Sequence, residues 1–200
     1  LMLASPANPT GTLLDIGVMA ELAAFVAARD GSLLVDEIYH GLTYGVEAVS
    51  ALAVSDELFV INSFSKYFGM TGWRLGWLVA PQRYVREIEK LAQNLYIAPS
   101  TVAQHAALAA FQPETMAILE ARRREFRLRR DMLLPSLRKL GFKIAAEPQG
   151  AFYVYADSSG LAADSFSLAG ELLANAGIAA TPGLDFGSHA PQHHMRFAYT

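Results

Sequence analysis

Lys66 lies in Asn62-Ser63-Phe64-Ser65-Lys66-Tyr67-Phe68-Gly69-Met70-Thr71-Gly72-Trp73-Arg74-Leu75-Gly76-Trp77, with two serine hydroxyls just before it and an arginine further along. Phe59-Val60-Ile61 precedes the stretch and Leu75-Gly76-Trp77-Leu78-Val79 ends it, so the lysine is expected on a loop between buried strands. A lysine there loses hydration, which favours the neutral amine that attacks a carbonyl to form a Schiff base. Ser63 and Ser65 offer hydroxyls and Arg74 a planar fork of donors, a set suited to a phosphate dianion. Gly69, Gly72 and Gly76 let the backbone approach a ligand closely. Together they describe a phosphate-bearing aldehyde held by Lys66.

Asp36 is the second chemical point, at the tip of the apolar run Ser32-Leu33-Leu34-Val35. A carboxylate at the end of a buried strand is costly without a positive partner. A protonated pyridine nitrogen is such a partner, and holding that proton makes the ring an electron sink. Taken alone, Asp36 reads equally well as a cap for the following turn. Asn8 alone is a turn former, Tyr39 alone is packing, and Arg196 alone is a surface strand residue.

The elements that position these residues follow from pattern. Residues 1–4 read as a strand that runs into the turn formers Ser5-Pro6-Ala7-Asn8-Pro9-Thr10-Gly11. Loops at the carboxyl ends of strands are where open α/β sheets bind ligands. From an N-cap at Asp15, Val18, Leu22, Phe25 and Val26 recur at helical spacing until Asp30-Gly31. With the strand over 32–35 this makes a βαβ unit. Strands are expected over 57–63 and 75–80, and Pro81 opens a helix with an apolar stripe of Val85, Ile88, Leu91, Ala92 and Leu95. Ser100 is the expected N-cap of a helix over 102–111. A long charged helix over 114–140, with a break near Pro135, leads into a second domain. There, strands are expected over 143–147, 150–155, 178–180 and 195–199, and a helix over 166–176.

The stretch around Lys66 resembles the cofactor-lysine signature of the aspartate aminotransferase superfamily, the class I/II aminotransferases that use pyridoxal phosphate. Asn8-Pro9-Thr10-Gly11 resembles the family's Asn-Pro-Thr-Gly motif, and Pro148-Gln149-Gly150 and Pro182-Gly183 its small-domain signposts. The resemblance implies a fold type I α/β architecture: a mostly parallel sheet flanked by helices over residues 1–112, and a smaller α+β domain over 113–200. It implies that Asn8 and Tyr39 meet the cofactor's phenolic oxygen and Asp36 its pyridinium. Ser63, Ser65 and Arg74 then hold phosphate, and Arg196 clamps the substrate α-carboxylate. The implied reaction moves an amino group from an L-amino acid to a 2-oxo acid, in a homodimer when the protein is full-length. The first residue is Leu1 and residues 1–4 already read as a strand, while residues 195–200 read as ending inside another, so the chain is expected to be an internal portion lacking the N-terminal half and the extreme C-terminus.

Bulk properties narrow the remaining classes. The chain has 200 residues, a formal net charge of −3 and no cysteine, which excludes disulfides and thiol chemistry. The arginines over 122–130 are interleaved with Glu120, Glu125 and Asp131, so a solvated helix face is expected rather than a nucleic-acid surface. No apolar run reaches a membrane-spanning length, and a cytoplasmic setting without a metal, membrane or nucleic-acid partner is expected. Ser63-Phe64-Ser65-Lys66 also fits the Ser-x-x-Lys of serine β-lactamases, but the Ser-Asp-Asn and Lys-Thr-Gly that should accompany it are missing. Two alternatives use the same anchors: a carbon–sulfur β-lyase, which tends to have a histidine where Ala7 stands, and the effector-binding domain of a transcription regulator.

Overall fold

The computed structural model describes residues 1–200, which divide into two compact units: residues 1–6 with 13–123, and residues 7–12 with 124–200. The division falls inside one helix, whereas the sequence reading places it at 112/113, where that helix begins.

In the first unit, β1 (Met2–Ala4), β2 (Leu34–Asp36) and β3 (Phe59–Ser63) run parallel, and β4 (Gly76–Val79) closes the order β1-β2-β3-β4 antiparallel to β3. Ala4 pairs with Asp36 and Asp36 with Ile61, so the carboxyl ends of the parallel strands share one edge. Helix α1 (Ile16–Ala27) starts where Asp15 accepts from the Gly17 amide. Its buried face, Met19 and Ala23 with half-buried Val26, packs on Leu33, Val35, Leu58 and Val60, and Leu22 is half-buried. Val18 and Phe25, expected inside, are exposed. Arg29 covers Phe25 from 3.6 Å, which shelters the ring without burying it in the core.

β4 corrects a second expectation. All four of its residues are exposed, with Leu78 at 41%, so the Lys66 loop leaves a strand of which only Val60 is buried and returns along an uncovered edge. In α2 (Gln82–Leu95), Val85, Ile88 and Ala92 are half-buried, while Leu91 and Leu95 are exposed. Helix α3 (Thr101–Ala110) follows Ser100, whose carbonyl accepts from Gln104 but whose side chain makes no cap bond. Helix α4 (Pro113–Lys139) is unbroken at Pro135. The proline removes one backbone bond, and burial of Leu134 and Leu137 on either side holds the helix together.

The second unit has an antiparallel sheet of order β5-β7-β6, from β5 (Tyr153–Asp157), β6 (Thr181–Pro182) and β7 (His194–Ala198). Helix α5 (Ser165–Ala176) is capped by Asp164, which accepts from Ser167, and ends at left-handed Gly177. The strand expected over 143–147 is reduced to one bridge between Lys143 and Asp157. Those over 150–155 and 178–180 shift to β5 and β6. No helix is long and apolar enough to cross a membrane.

Candidate active site

The loop between β3 and β4 is fastened on both flanks of Lys66. Phe64 N donates to Leu75 O, Met70 N to Phe64 O and Gly69 N to Lys66 O, each at 2.9–3.0 Å. Beneath the loop, the rings of Phe64 and Phe68 stand 4.8 Å apart, and Phe64 packs on Trp77 and Phe111. Met70, Ala107 and Ala110 complete this cluster. The apolar side chains at 64, 68 and 70 therefore hold the loop down and leave half-buried Lys66 on its polar side.

Lys66 Nζ lies 5.6 Å from the centroid of the buried Tyr39 ring. Tyr39 reaches this position from the segment after β2, which Asp36 and Glu37 organise. Asp36 Oδ1 accepts from the Ile38 amide at 2.9 Å, while its carbonyl accepts from Ser5 N. Asp36 therefore does cap the next turn, with only one oxygen engaged in that bond. Glu37, which sequence reasoning passed over, is 4% exposed. It accepts from Ala51 N at 2.6 Å and Ser50 Oγ at 3.1 Å, and His40 Nδ1 lies 3.4 Å away. This carboxylate ties the Asp36–Tyr39 segment to residues 50–51. Its signal was only a second acid beside Asp36, and its partners lie thirteen and fourteen positions on.

The oxygen and guanidinium donors occupy the two ends of the same loop. Ser63 Oγ accepts from Ser65 N at 3.0 Å and lies 2.9 Å from Ser65 Oγ and 3.1 Å from Leu75 O, so it shapes the turn. Arg74 is exposed, adopts a left-handed backbone (φ 53°), and donates from Nη1 to Thr71 O at 2.8 Å. It borders a cleft of ≈ 650 Å³ with Gly72, Gly76, Tyr96 and Ser100; that cleft does not take in Lys66 or Asp36.

Asn8 and Arg196 lie in the second unit. Residues 7–12 form a closed turn in which Ala7 N donates to Thr12 O and Gly11 N to Ala7 O. Gln149 N and Gly150 N both donate to Gly11 O at 2.9 Å, and a Cβ at Gly11 would stand 2.7 Å from Gly150 O. Glycine at 11 thus permits the contact between two sequence motifs 137 residues apart, from Gly11 to Pro148. Arg196, on central strand β7, is flanked in register by Tyr155 and Thr181. Its guanidinium carbon sits 4.0 Å from the Tyr153 ring centre and 4.6 Å from that of Phe186, and Nη1 donates to Asn8 Oδ1 at 2.8 Å. Nε is buried without a hydrogen-bond partner. A buried donor left unpaired costs free energy until an acceptor arrives, and a carboxylate is the acceptor a guanidinium fork suits best.

Two features now define the class: a lysine loop at the carboxyl edge of a mixed sheet, and a separate α+β unit with an oriented arginine. The fold is that of the fold type I aminotransferases. The chain belongs to the family described as aminotransferase class I and II, whose model matches residues 1–200. It is 41% identical over 201 residues to a valine–pyruvate aminotransferase of Mycobacterium tuberculosis, covering 100% of this chain and 52% of the relative. It is 38% identical over 202 residues to an aspartate/prephenate aminotransferase of Thermus thermophilus, covering 100% and 51%. The crystal structure of an aminotransferase from M. tuberculosis matches with a TM-score of 0.95 and 42% identity, over 99% of this chain and 52% of that one. The chain thus spans about half the length of the relatives it matches.

Proposed function

We propose that the protein containing this chain is a pyridoxal-phosphate-dependent aminotransferase that moves an amino group from an L-amino acid to a 2-oxo acid. The observation that carries the reading is the placement of Lys66: its amine stands 5.6 Å from the Tyr39 ring on a loop locked by aromatic packing. Amine, phenol, carboxylate, hydroxyls and guanidinium from residues 36–74 match the aldehyde, phenolic oxygen, ring nitrogen and phosphate of pyridoxal phosphate, so the donor set fits that group. Bound there, the cofactor supplies an electron sink for negative charge at the amino acid's α-carbon. Lys66 Nζ is the base that moves the α-proton, Asp36 holds the proton on the ring nitrogen, and Asn8 and Tyr39 donate to the phenolic oxygen. Ser63, Ser65 and Arg74 hold phosphate, and Arg196 takes the α-carboxylate on its Nε edge.

The aminotransferase names of the relatives favour this over carbon–sulfur elimination or an effector-sensing domain. Division into domains near 112, a homodimer and a cytoplasmic setting belong to the same reading. The test is the visible absorbance of the whole protein with pyridoxal phosphate, before and after an amino acid is supplied. A band that needs Lys66, fades with the amino acid and is matched by a 2-oxo acid product is the expected result. A band of equal strength in Lys66→Ala would overturn the assignment.

A further inference from the structure

Beside Lys66 runs a chain of hydrogen bonds, closed into a circuit by one ring contact, to which the reaction assigns no role. Tyr67 is buried, and its hydroxyl donates to Glu120 Oε1 at 2.7 Å. Arg123 grips the other oxygen of that carboxylate, from Nε at 2.9 Å and Nη2 at 2.7 Å. Its Nη1 donates to Thr43 O at 2.9 Å. Thr43 belongs to the segment that follows Tyr39, and within it Gly41 (φ +88°) touches the Tyr67 ring so closely that a Cβ would lie 2.6 Å from it. From Tyr67 the path runs through Glu120, Arg123, Thr43 and Gly41 back to the Tyr67 ring.

Each member is suited to holding position. Phe64 and Phe68 already supply the loop with apolar packing, which is non-directional. The Tyr67 hydroxyl adds direction, since a hydrogen bond to a carboxylate is strong and weakens steeply off axis. The Arg123 fork fixes the carboxylate, so the acceptor cannot swing away with its side chain. The Arg122 guanidinium lies over Gly69, one turn beyond Lys66, where a Cβ would collide with it. The second and third turns of α4 are thereby bolted to both the loop that bears Lys66 and the loop that follows Tyr39.

We propose that Tyr67, Glu120 and Arg123 are positioning residues for Lys66, setting where its amine stands relative to the Tyr39 ring. The inference rests on Lys66 being the cofactor lysine. The experiment treats the whole protein with substoichiometric pyridoxal phosphate, reduces it with borohydride, and measures by peptide mass spectrometry the label on Lys66 against Lys90, Lys139 and Lys143. Thermal melting, kcat and KM are followed alongside.

In the unaltered protein the label concentrates on Lys66. Tyr67→Phe and Glu120→Ala lower that preference about tenfold, the effect of one charge-assisted hydrogen bond. They lower kcat with little change in the KM for the amino acid. Glu120→Gln, which keeps an acceptor for the phenol, retains most of the preference. The Tyr67→Phe/Glu120→Ala double variant is no worse than either single one, because one opened link already breaks the circuit. Undiminished Lys66 preference in Tyr67→Phe and Glu120→Ala, with only melting lowered, would overturn the positioning role alone. No preference in the unaltered protein would overturn the Lys66 assignment and the network with it. Should Glu120→Ala fail to fold, Tyr67→Phe, which keeps the ring, decides the matter.

Discussion

Asn8 Oδ1 accepts a hydrogen bond from Arg196 Nη1 at 2.8 Å, across 188 positions of sequence. The guanidinium can only donate, so the amide must turn its oxygen to Arg196, which aims its NH₂ elsewhere as a donor. One contact thus sets two orientations, that of the Asn8 amide and that of the Arg196 fork, the groups to which the proposed function gives the phenolic oxygen and the carboxylate.

Removing the acceptor should therefore be felt in substrate binding. Asn8→Ala is expected to raise the KM for the amino acid about 10- to 100-fold, the range for a hydrogen bond to a charged group. Steady-state kinetics at several amino acid concentrations measure this. An unchanged KM would mean that the Tyr153 and Phe186 rings alone orient Arg196.

Glu37 gives a prediction about stability. Its carboxylate satisfies the amide of Ala51, which is 1% exposed, and the Ser50 hydroxyl. Glu37→Ala leaves that amide buried without an acceptor and should cost about 1–3 kcal/mol. Chemical denaturation of the variant reports it. A loss below about 0.5 kcal/mol, the scale of an ordinary surface change, would show that water replaces the carboxylate freely.

What the sequence disclosed depended on how local the cause was. The Lys66 loop, the Asp15 cap and the β-branched strands were legible because their determinants lie within a few residues of one another. The buried face of α1 was not: which side of a helix turns inward depends on Leu33, Val35 and Val60, so Met19 and Ala23 displaced Val18 and Phe25 from the core. Glu37 and the Tyr67–Glu120 pair stayed hidden for the same reason, since partners 13 to 53 residues away leave no periodic trace. The exposure of β4 was equally invisible, because Leu75-Gly76-Trp77-Leu78-Val79 has the composition of a covered strand.

Gly41 tests how closely the two loops of the first unit approach. Its φ of +88° suits glycine, and a Cβ would meet Tyr67 at 2.6 Å. Gly41→Ala should destabilise by about 1–3 kcal/mol through crowding, with added strain from the left-handed backbone. Comparing Gly41→Ala in the native and Tyr67→Ala backgrounds separates the two: the crowding component disappears when the ring is removed and the backbone component stays. Equal losses in both backgrounds would place the whole effect in the backbone.

Tyr67 predicts a pH dependence whose sign follows from its surroundings. Burial first, then the hydrogen bond to and the charge of Glu120, push the phenol from 10.0 up to about 12, with Arg123 pulling the other way. A group raised in the folded state stabilises it through its protonated form. That contribution is complete below the ordinary phenol value of 10.0 and disappears as pH rises through about 12. Melting temperatures of the native protein and Tyr67→Phe, measured together between pH 8 and 12, isolate it from every other titrating group. Their difference should hold steady to about pH 10 and then shift against the native protein, because a Tyr67 phenolate would be buried and would face the Glu120 carboxylate. A difference that stays constant to pH 12 would mean that neither burial nor Glu120 raises the Tyr67 phenol in solution.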